Sequence, residues 1–292
     1  MKALSKLKTG DYVLLAIIAA FILFVTYRVE GALNYNWNWA PIPNYLIRWD
    51  EDEQRFVTNF LLEGMFTTLR VCFYASIMAL IFGTILGLAR VAKNLAIRML
   101  ARTYLEMLRN VPPLVILFIF YFFLSEQLVD AFGIERWARK IARSETAEYW
   151  SFFFGDMRKF PALISGAFVL ALFESAFVGE IIRAGIQSVG KGQREAALSI
   201  GLSWFDQMRY IVLPQAFKKV LPPLANEFIS LIKVSAIISL ISVPELTFRT
   251  QELASATRLI FEAWLTTAAL YFVICFGLSY LFRKLENRSA VA

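Results

Sequence analysis

Six stretches of this chain run apolar for close to the width of a lipid bilayer: Tyr12 to Tyr27, Phe66 to Ala89, Val111 to Leu128, Pro161 to Ile182, Leu224 to Val243 and Ala263 to Phe282. A hydrocarbon core of about 30 Å needs about 20 helical residues to cross it. Inside lipid every backbone N–H and C=O must find a partner within the protein, which leaves helices for segments of this kind. The pattern predicts an all-α integral membrane protein with about six transmembrane helices. The first run is the shortest and follows Lys2, Lys6 and Lys8, as the apolar part of a signal peptide would. No small-x-small cleavage site precedes Arg28 and several spans follow, so it reads as an uncleaved anchor.

Charge supplies the orientation. The segments that must share one side are the N-terminus, Arg90 to Arg109, Arg183 to Lys219 and the C-terminal tail, and together they carry 17 basic and 5 acidic residues. The opposite segments, Arg28 to Arg55, Glu126 to Lys159 and Glu245 to Glu262, carry 11 basic and 14 acidic. The positive-inside rule then places both termini in the cytoplasm. The net charge of +7 is spread between spans instead of gathered on one soluble face, which argues against nucleic acid as a partner and for membrane lipid. On the outer side Asn34 to Trp49 holds Trp37, Trp39, Tyr45 and Trp49 with Pro41 and Pro43, a composition suited to headgroup depth. An aromatic surface for a sugar is the alternative for that segment.

Enzymatic chemistry finds little to work with. The chain has no histidine, no G-x-S-x-G nucleophile elbow, and two cysteines, Cys72 and Cys275, buried in separate apolar runs. Those cysteines read as small core hydrophobes, so no metal site is expected. Gly185 to Lys191 fits the start of a phosphate-binding P-loop, G-x-x-x-x-G-K, but Gly192 stands where Ser or Thr must hold magnesium, and an apolar helix precedes it instead of a strand. No cofactor is therefore expected on this chain. Gly83-x-x-x-Gly87 in the second span permits close helix packing, within the subunit or between two copies.

The segment with the most local chemistry is Arg194 to Pro214, REAALSIGLSWFDQMRYIVLP, on the cytoplasmic side. Glu195, Ala196 and Ala197 favour helix, and Gly201 supplies the positive φ that ends one. Ser203 with Asp206 three residues on has the form of a capping box for a second helix, and Pro214 suits the first turn of the span that follows. The small residues Ala196, Ala197 and Gly201 beside Trp204, Phe205, Met208 and Ile211 make either a docking surface or a helix lying on lipid.

Glu195-Ala196-Ala197, three residues, Gly201, nine residues, Ile211, one residue, Leu213-Pro214 matches without a gap the EAA loop of the permease subunits of ABC importers. From about Phe60 onward the chain resembles the polar amino acid permease family in particular. The stretches that carry this are Thr67 to Arg70, Tyr104 to Glu106 with Arg109 to Pro112, Ala176 to Ile186, Gly192-Gln193, Leu213 to Ala216, Pro244 to Leu246 and Leu285-Glu286. The resemblance implies a five-helix type I importer core over 59–292, with 1–58 an added N-terminal helix and aromatic segment. It implies a coupling helix between the fourth and fifth spans, a partner ABC ATPase that binds ATP and magnesium, a periplasmic or surface substrate-binding protein, and a second permease subunit, identical or paralogous. The location implied is the bacterial inner membrane. Glu195, Ala196, Ala197, Gly201, Ile211, Leu213 and Pro214 would contact the ATPase and transmit its motion.

Ionisable groups at membrane depth are costly and tend to face a cavity. Glu174 is the leading candidate for a substrate ammonium group, and Asn226, Glu227 and Lys233 interrupt the fifth span, with Arg70 a lesser candidate for a carboxylate. Glu180 is expected to pair with Arg183 at i+3. The family often has an acid where this chain has Val234, so the resemblance does not extend to substrate there. An importer of another small solute and an ATP-independent secondary transporter are the competing readings; the second leaves the EAA loop unexplained.

Overall fold

The computed structural model describes residues 9–33, 35–52 and 54–289; Lys2, Lys6, Lys8 and Asn34 lie outside the described residues, as does the side chain of Glu286. Two compact units meet between Ala40 and Pro41. The first contains α1 (Thr9–Leu33), whose described side chains are almost all exposed, and ends in an aromatic run where Trp37 and Trp39 stack with ring centroids 6.0 Å apart.

The second unit opens with α2 (Ile42–Leu46) and a hairpin of β1 (Ile47–Asp50) and β2 (Arg55–Thr58), paired from Ile47 opposite Thr58 to Asp50 opposite Arg55. The hairpin departs from an all-α reading. Its strands alternate Arg, Trp, Phe and Val, and Trp49 meets Phe56 edge-to-face at 5.0 Å, a cross-strand pair that stabilises a short ribbon. Asn59 Nδ2 donates to the Asn44 carbonyl at 2.6 Å, tying α2 to the next helix. A boundary at 58/59 therefore falls inside this unit, which starts at Pro41.

Among the described residues five helices are long and apolar enough to cross a membrane: α3 (Phe60–Arg90), α5 (Pro113–Ala131), α8 (Phe160–Gln187), α10 (Trp204–Ile241) and α12 (Ile260–Ser289). Between them lie α4 (Leu95–Asn110), α6 (Ile134–Ile141), α7 (Ala147–Phe154), α9 (Lys191–Ser199) and α11 (Leu246–Thr257). The expected fifth span, Leu224 to Val243, is too short at its start. Helical structure begins at Trp204 and continues through Pro222 and Pro223, then tightens to 3₁₀ geometry over Ser235–Ile241. Hydropathy alone marks the apolar end of that rod and misses the polar turns before it.

The centre of the bundle is α8, two-thirds buried over its apolar window. It runs parallel to α3, because Gly83 meets Val178 and Gly179 while Gly87 meets Ile182 four residues further along both helices. A Cβ on Gly87 would stand 2.7 Å from the Ile182 side chain and 2.9 Å from the Gly179 carbonyl oxygen. Backbone cannot move aside as a side-chain end can, so the glycine is what permits this approach. The Gly83-x-x-x-Gly87 motif is thus spent inside the subunit. On the opposite side α10 runs antiparallel to α8, with Val220 against Gly185 and Ile238 against Gly166.

At one end of the bundle Glu245, fully buried, accepts from the backbone N–H of Phe248 (2.8 Å) and from the hydroxyls of Tyr271 (3.0 Å) and Thr68 (3.2 Å). It caps α11 and joins α3, α11 and α12. Burial pushes its carboxyl above the ordinary range, and these donors oppose the shift. We expect Gly87→Ala to destabilise the fold by about 1–3 kcal/mol through overpacking, read as a lowered unfolding midpoint in detergent. Gly190→Ala, where a Cβ meets nothing within 4 Å, should leave the midpoint unchanged.

Candidate coupling loop and membrane cavity

At the end opposite Glu245 the chain folds back under the bundle. There Glu180 near the end of α8 pairs with Arg183, whose Nε donates at 2.9 Å, as the i+3 spacing predicts, and Arg90 at the end of α3 approaches to 3.6 Å. Arg183 also donates to Gln187. This cluster joins the two parallel spans where both leave the apolar layer.

α9 follows α8 after three intervening residues and ends in a motif built from backbone alone. Gly201 N–H donates to the Leu198 carbonyl (2.9 Å) and Leu202 N–H to the Ala197 carbonyl (3.1 Å), with Gly201 at φ +79°. These are the paired bonds of a Schellman cap, and they need a left-handed residue. Around Gly201 a Cβ would meet nothing within 4 Å, so conformation and not crowding demands glycine. Ser203 then accepts from Asp206 N–H at 3.2 Å and starts the next helical turn, while its hydroxyl turns to the Asp206 carboxylate, so only half of a capping box is made. Pro214 occupies the first turn of Leu213–Val234.

Four side chains that the sequence does not single out hold the loop to the bundle. Arg194 donates to the Ile186 carbonyl (2.7 Å), Gln207 to the Leu202 carbonyl (2.8 Å), Lys219 to the Ser188 carbonyl (2.7 Å) and Gln215 to the Gln193 side chain (3.2 Å). Glu195, Ala196 and Gly201 are exposed, and so are Leu213 and Pro214. Ala197 is buried and serves the packing of α9 instead of an open surface. Of the apolar anchors expected there, Trp204 and Phe205 are exposed. Met208 points inward with Ile186, Val189, Val212 and Ala216, and Ile211 is half-buried, because the Gln207–Val212 turn widens to π geometry and rotates them. Leu198, Ile200 and Tyr210, 62%, 75% and 63% exposed, complete the apolar surface. Lys93 lies over the Trp204 ring at 6.0 Å, which places this loop beside the end of α3.

Above the loop a cavity of about 1010 Å³ runs from Phe217, Lys218 and Leu221 up to Glu174, with Ser76, Leu80, Val178 and Phe228 in its walls. Glu174 is 97% buried, and no hydrogen-bond donor reaches its Oε1. The carboxyl beside it belongs to Glu227, on α10, which also lines the cavity. The structure thus brings two of the candidate residues together and separates the others. Asn226 faces a smaller cavity of about 450 Å³ with Ser279 and Arg283, and Lys233 is exposed on another face of α10, as six residues of helix dictate. Arg70 donates to the Phe152 carbonyl at 3.3 Å and is engaged by the segment between α5 and α8. Among the described residues no group of three or more His, Cys, Asp or Glu side chains is placed to hold a metal.

Residues 79–291 match the family described as binding-protein-dependent transport system inner membrane component. The chain belongs to this family. The permease is 31% identical over 233 residues to the probable glutamine ABC transporter permease GlnM of Bacillus subtilis (strain 168), covering 78% of this chain and 94% of that protein. To the putative glutamine transport system permease GlnP of Rickettsia bellii (strain RML369-C) it is 35% identical over 233 residues, covering 80% and 94%. Among solved structures it resembles an amino acid ABC transporter crystallised with histidines, with TM-score 0.62 and 34% identity over 78% of this chain and 94% of that one. A MetNI methionine ABC transporter in an inward-facing conformation shares the fold at 14% identity and TM-score 0.54. The permease is accordingly a multi-pass transport component.

Gly201→Ala should cost about 1–2 kcal/mol locally, since an L side chain is strained at that φ. Amide exchange at Leu202 would then quicken, whereas Gly192→Ala, in open space with an ordinary φ, should not alter it.

Proposed function

We propose that this chain is the membrane-spanning permease of an ATP-driven amino-acid importer in a bacterial inner membrane, with both termini and the EAA loop in the cytoplasm. The observation that carries the reading is the exposed Glu195-Ala196 face on a helix closed by the Gly201 cap, on the side where α3 and α8 converge in an ion cluster. A partner ATPase that seats on Glu195, Ala196, Gly201 and the exposed Leu198, Ile200, Trp204 and Phe205 would push on a loop hydrogen-bonded to both α8 and α10. Rigid-body movement of these two spans is the output, with ATP and magnesium held by the partner. A separate binding protein delivers substrate from outside, and a second permease, a copy or a paralogue, completes the pathway. The relatives named for glutamine and the amino acid transporter structure support amino acids as the substrate class.

Within the pathway Glu174 and Glu227 take the ammonium end of the substrate. Two carboxylates at membrane depth with apolar walls are held at a desolvation cost that a cationic ligand offsets. Lys233, Asn226 and Arg70 stand apart from this pair.

Purification of the native complex in mild detergent should recover a P-loop ATPase with this chain; an active homo-oligomer without one would identify a secondary transporter. In proteoliposomes, Glu195→Ala or Gly201→Asp should uncouple ATP hydrolysis from uptake while the subunit stays in the membrane, and unchanged uptake in both would remove the loop from coupling. Replacing both carboxylates, Glu174→Gln with Glu227→Gln, should lower amino-acid uptake by about tenfold or more, from the loss of charge-assisted hydrogen bonds of roughly 1.5–3 kcal/mol. ATPase stimulation by the binding protein should persist in that variant, which separates a pathway role from a folding one.

A further inference from the structure

The 28 residues between α5 and α8 are not a plain connection. They fold as α6 and α7 around a small core of Ala138 and Met157 with Ile134, Ile141, Trp150 and Phe154, closed by Phe160 at the start of α8. This segment lies at the end of α3 and α8 remote from the EAA loop.

Its depth is fixed by α3. Between Arg70 and Arg90 that helix has 19 residues without a charge, Val71 to Ala89. At 1.5 Å per residue they span about 28 Å, the thickness of the hydrocarbon layer, so Arg70 marks its edge. Arg70 donates to the Phe152 carbonyl and Tyr74, one turn deeper, donates to the Phe153 carbonyl at 3.1 Å, with its ring stacked on Phe154 at 5.5 Å. The end of α7 is therefore held level with the border of the apolar layer and does not stand out in water.

At that level α7 presents Tyr149, Phe152 and Phe153, 66%, 76% and 48% exposed, at i, i+3 and i+4 on a single face. α6 and its last turn present Arg136, Lys140 and Arg143, exposed at i, i+4 and i+7. Glu135 is engaged by Arg139, and Asp156 lies 3.9 Å from Lys159. From Ile134 to Lys159 the count is 6 basic to 4 acidic residues, a cation surplus on the side where the charge bias of the chain makes cations scarce.

We propose that the Ile134–Phe154 hairpin is an interfacial foot of the permease: Tyr149, Phe152 and Phe153 enter the acyl-chain border, and Arg136, Lys140 and Arg143 bind the phosphates of anionic phospholipid headgroups. The chemistry is that of an amphipathic helix pair lying in the membrane plane, with aromatic rings at the border and cations among the headgroups. The foot props the outer end of α3 against the start of α8. Only the assignment to the outer leaflet rests on the orientation proposed above; the depth does not.

The test uses the full-length permease in nanodiscs with and without phosphatidylglycerol. A nitroxide is placed on Phe152→Cys, and separately on Tyr149→Cys, in a Cys275→Ala background; Cys72 is fully buried. Oxygen should relax both labels more effectively than a water-soluble nickel chelate. The reverse order at both positions would put the aromatic face in water, overturn the foot, and make the surface one for a soluble protein. In parallel, Arg136→Gln with Lys140→Gln and Arg143→Gln should weaken retention of phosphatidylglycerol in native mass spectra by roughly fivefold per charge removed, with phosphatidylcholine retention unaffected. Equal phosphatidylglycerol retention by the parent and the triple variant would overturn the headgroup site.

Discussion

The contact between Gly83, Gly87 and Gly179 is the constraint on which the rest of this permease depends. It sets two parallel spans, α3 and α8, at a separation that leaves no room for a Cβ at Gly83 or Gly87 and little at Gly179, and it fixes their heights relative to one another. In lipid there is no hydrophobic drive to bring helices together, so close van der Waals contact between small residues must supply the association. Once the two are in register, Arg90 reaches Glu180 at one end and Arg70 and Tyr74 reach the α6–α7 segment at the other. The loop from Lys191 to Val212 and the α6–α7 hairpin are both placed by this one pair.

The loop beneath the bundle shows how a short motif divides its labour. Gly201 shapes the turn and touches nothing with the place where a Cβ would be, Ala197 packs inward, and Glu195 and Ala196 face out. Small residues in one motif therefore serve three different physical needs. Hydrogen bonds from Arg194 to the Ile186 carbonyl and from Lys219 to the Ser188 carbonyl tie the loop to the end of α8. The cavity above is walled by α3, α8, α10 and α12, and it brings the buried Glu174 of α8 beside the half-buried Glu227 of α10.

Much of this was legible in one dimension because it is written in contiguous residues. Spans announce themselves by length and apolarity, the EAA loop by its spacing, the cap by glycine, and the Glu180–Arg183 pair by an i+3 interval. Features that depend on distant residues were not. Glu174 and Glu227 are 53 positions apart, and Arg70 and Phe152 are 82 apart; no period or motif joins either pair. The β1–β2 hairpin escaped because two four-residue strands are too short for alternation to stand out within an aromatic-rich segment. Met208 was misplaced because a π turn shifts every following side chain around the helix, and nothing in its composition signals that turn.

By itself, then, the order of residues determined a helical membrane protein, its charge bias and the helix, glycine cap and turn of the segment from Arg194 to Pro214, since bilayer thickness and helical pitch convert local composition directly into structure. Tertiary structure alone decided which charges share a cavity, which anchors face outward and where the α6–α7 hairpin is tied to α3. Those are relations between helices, and they are set by the close packing of small residues far apart in the chain.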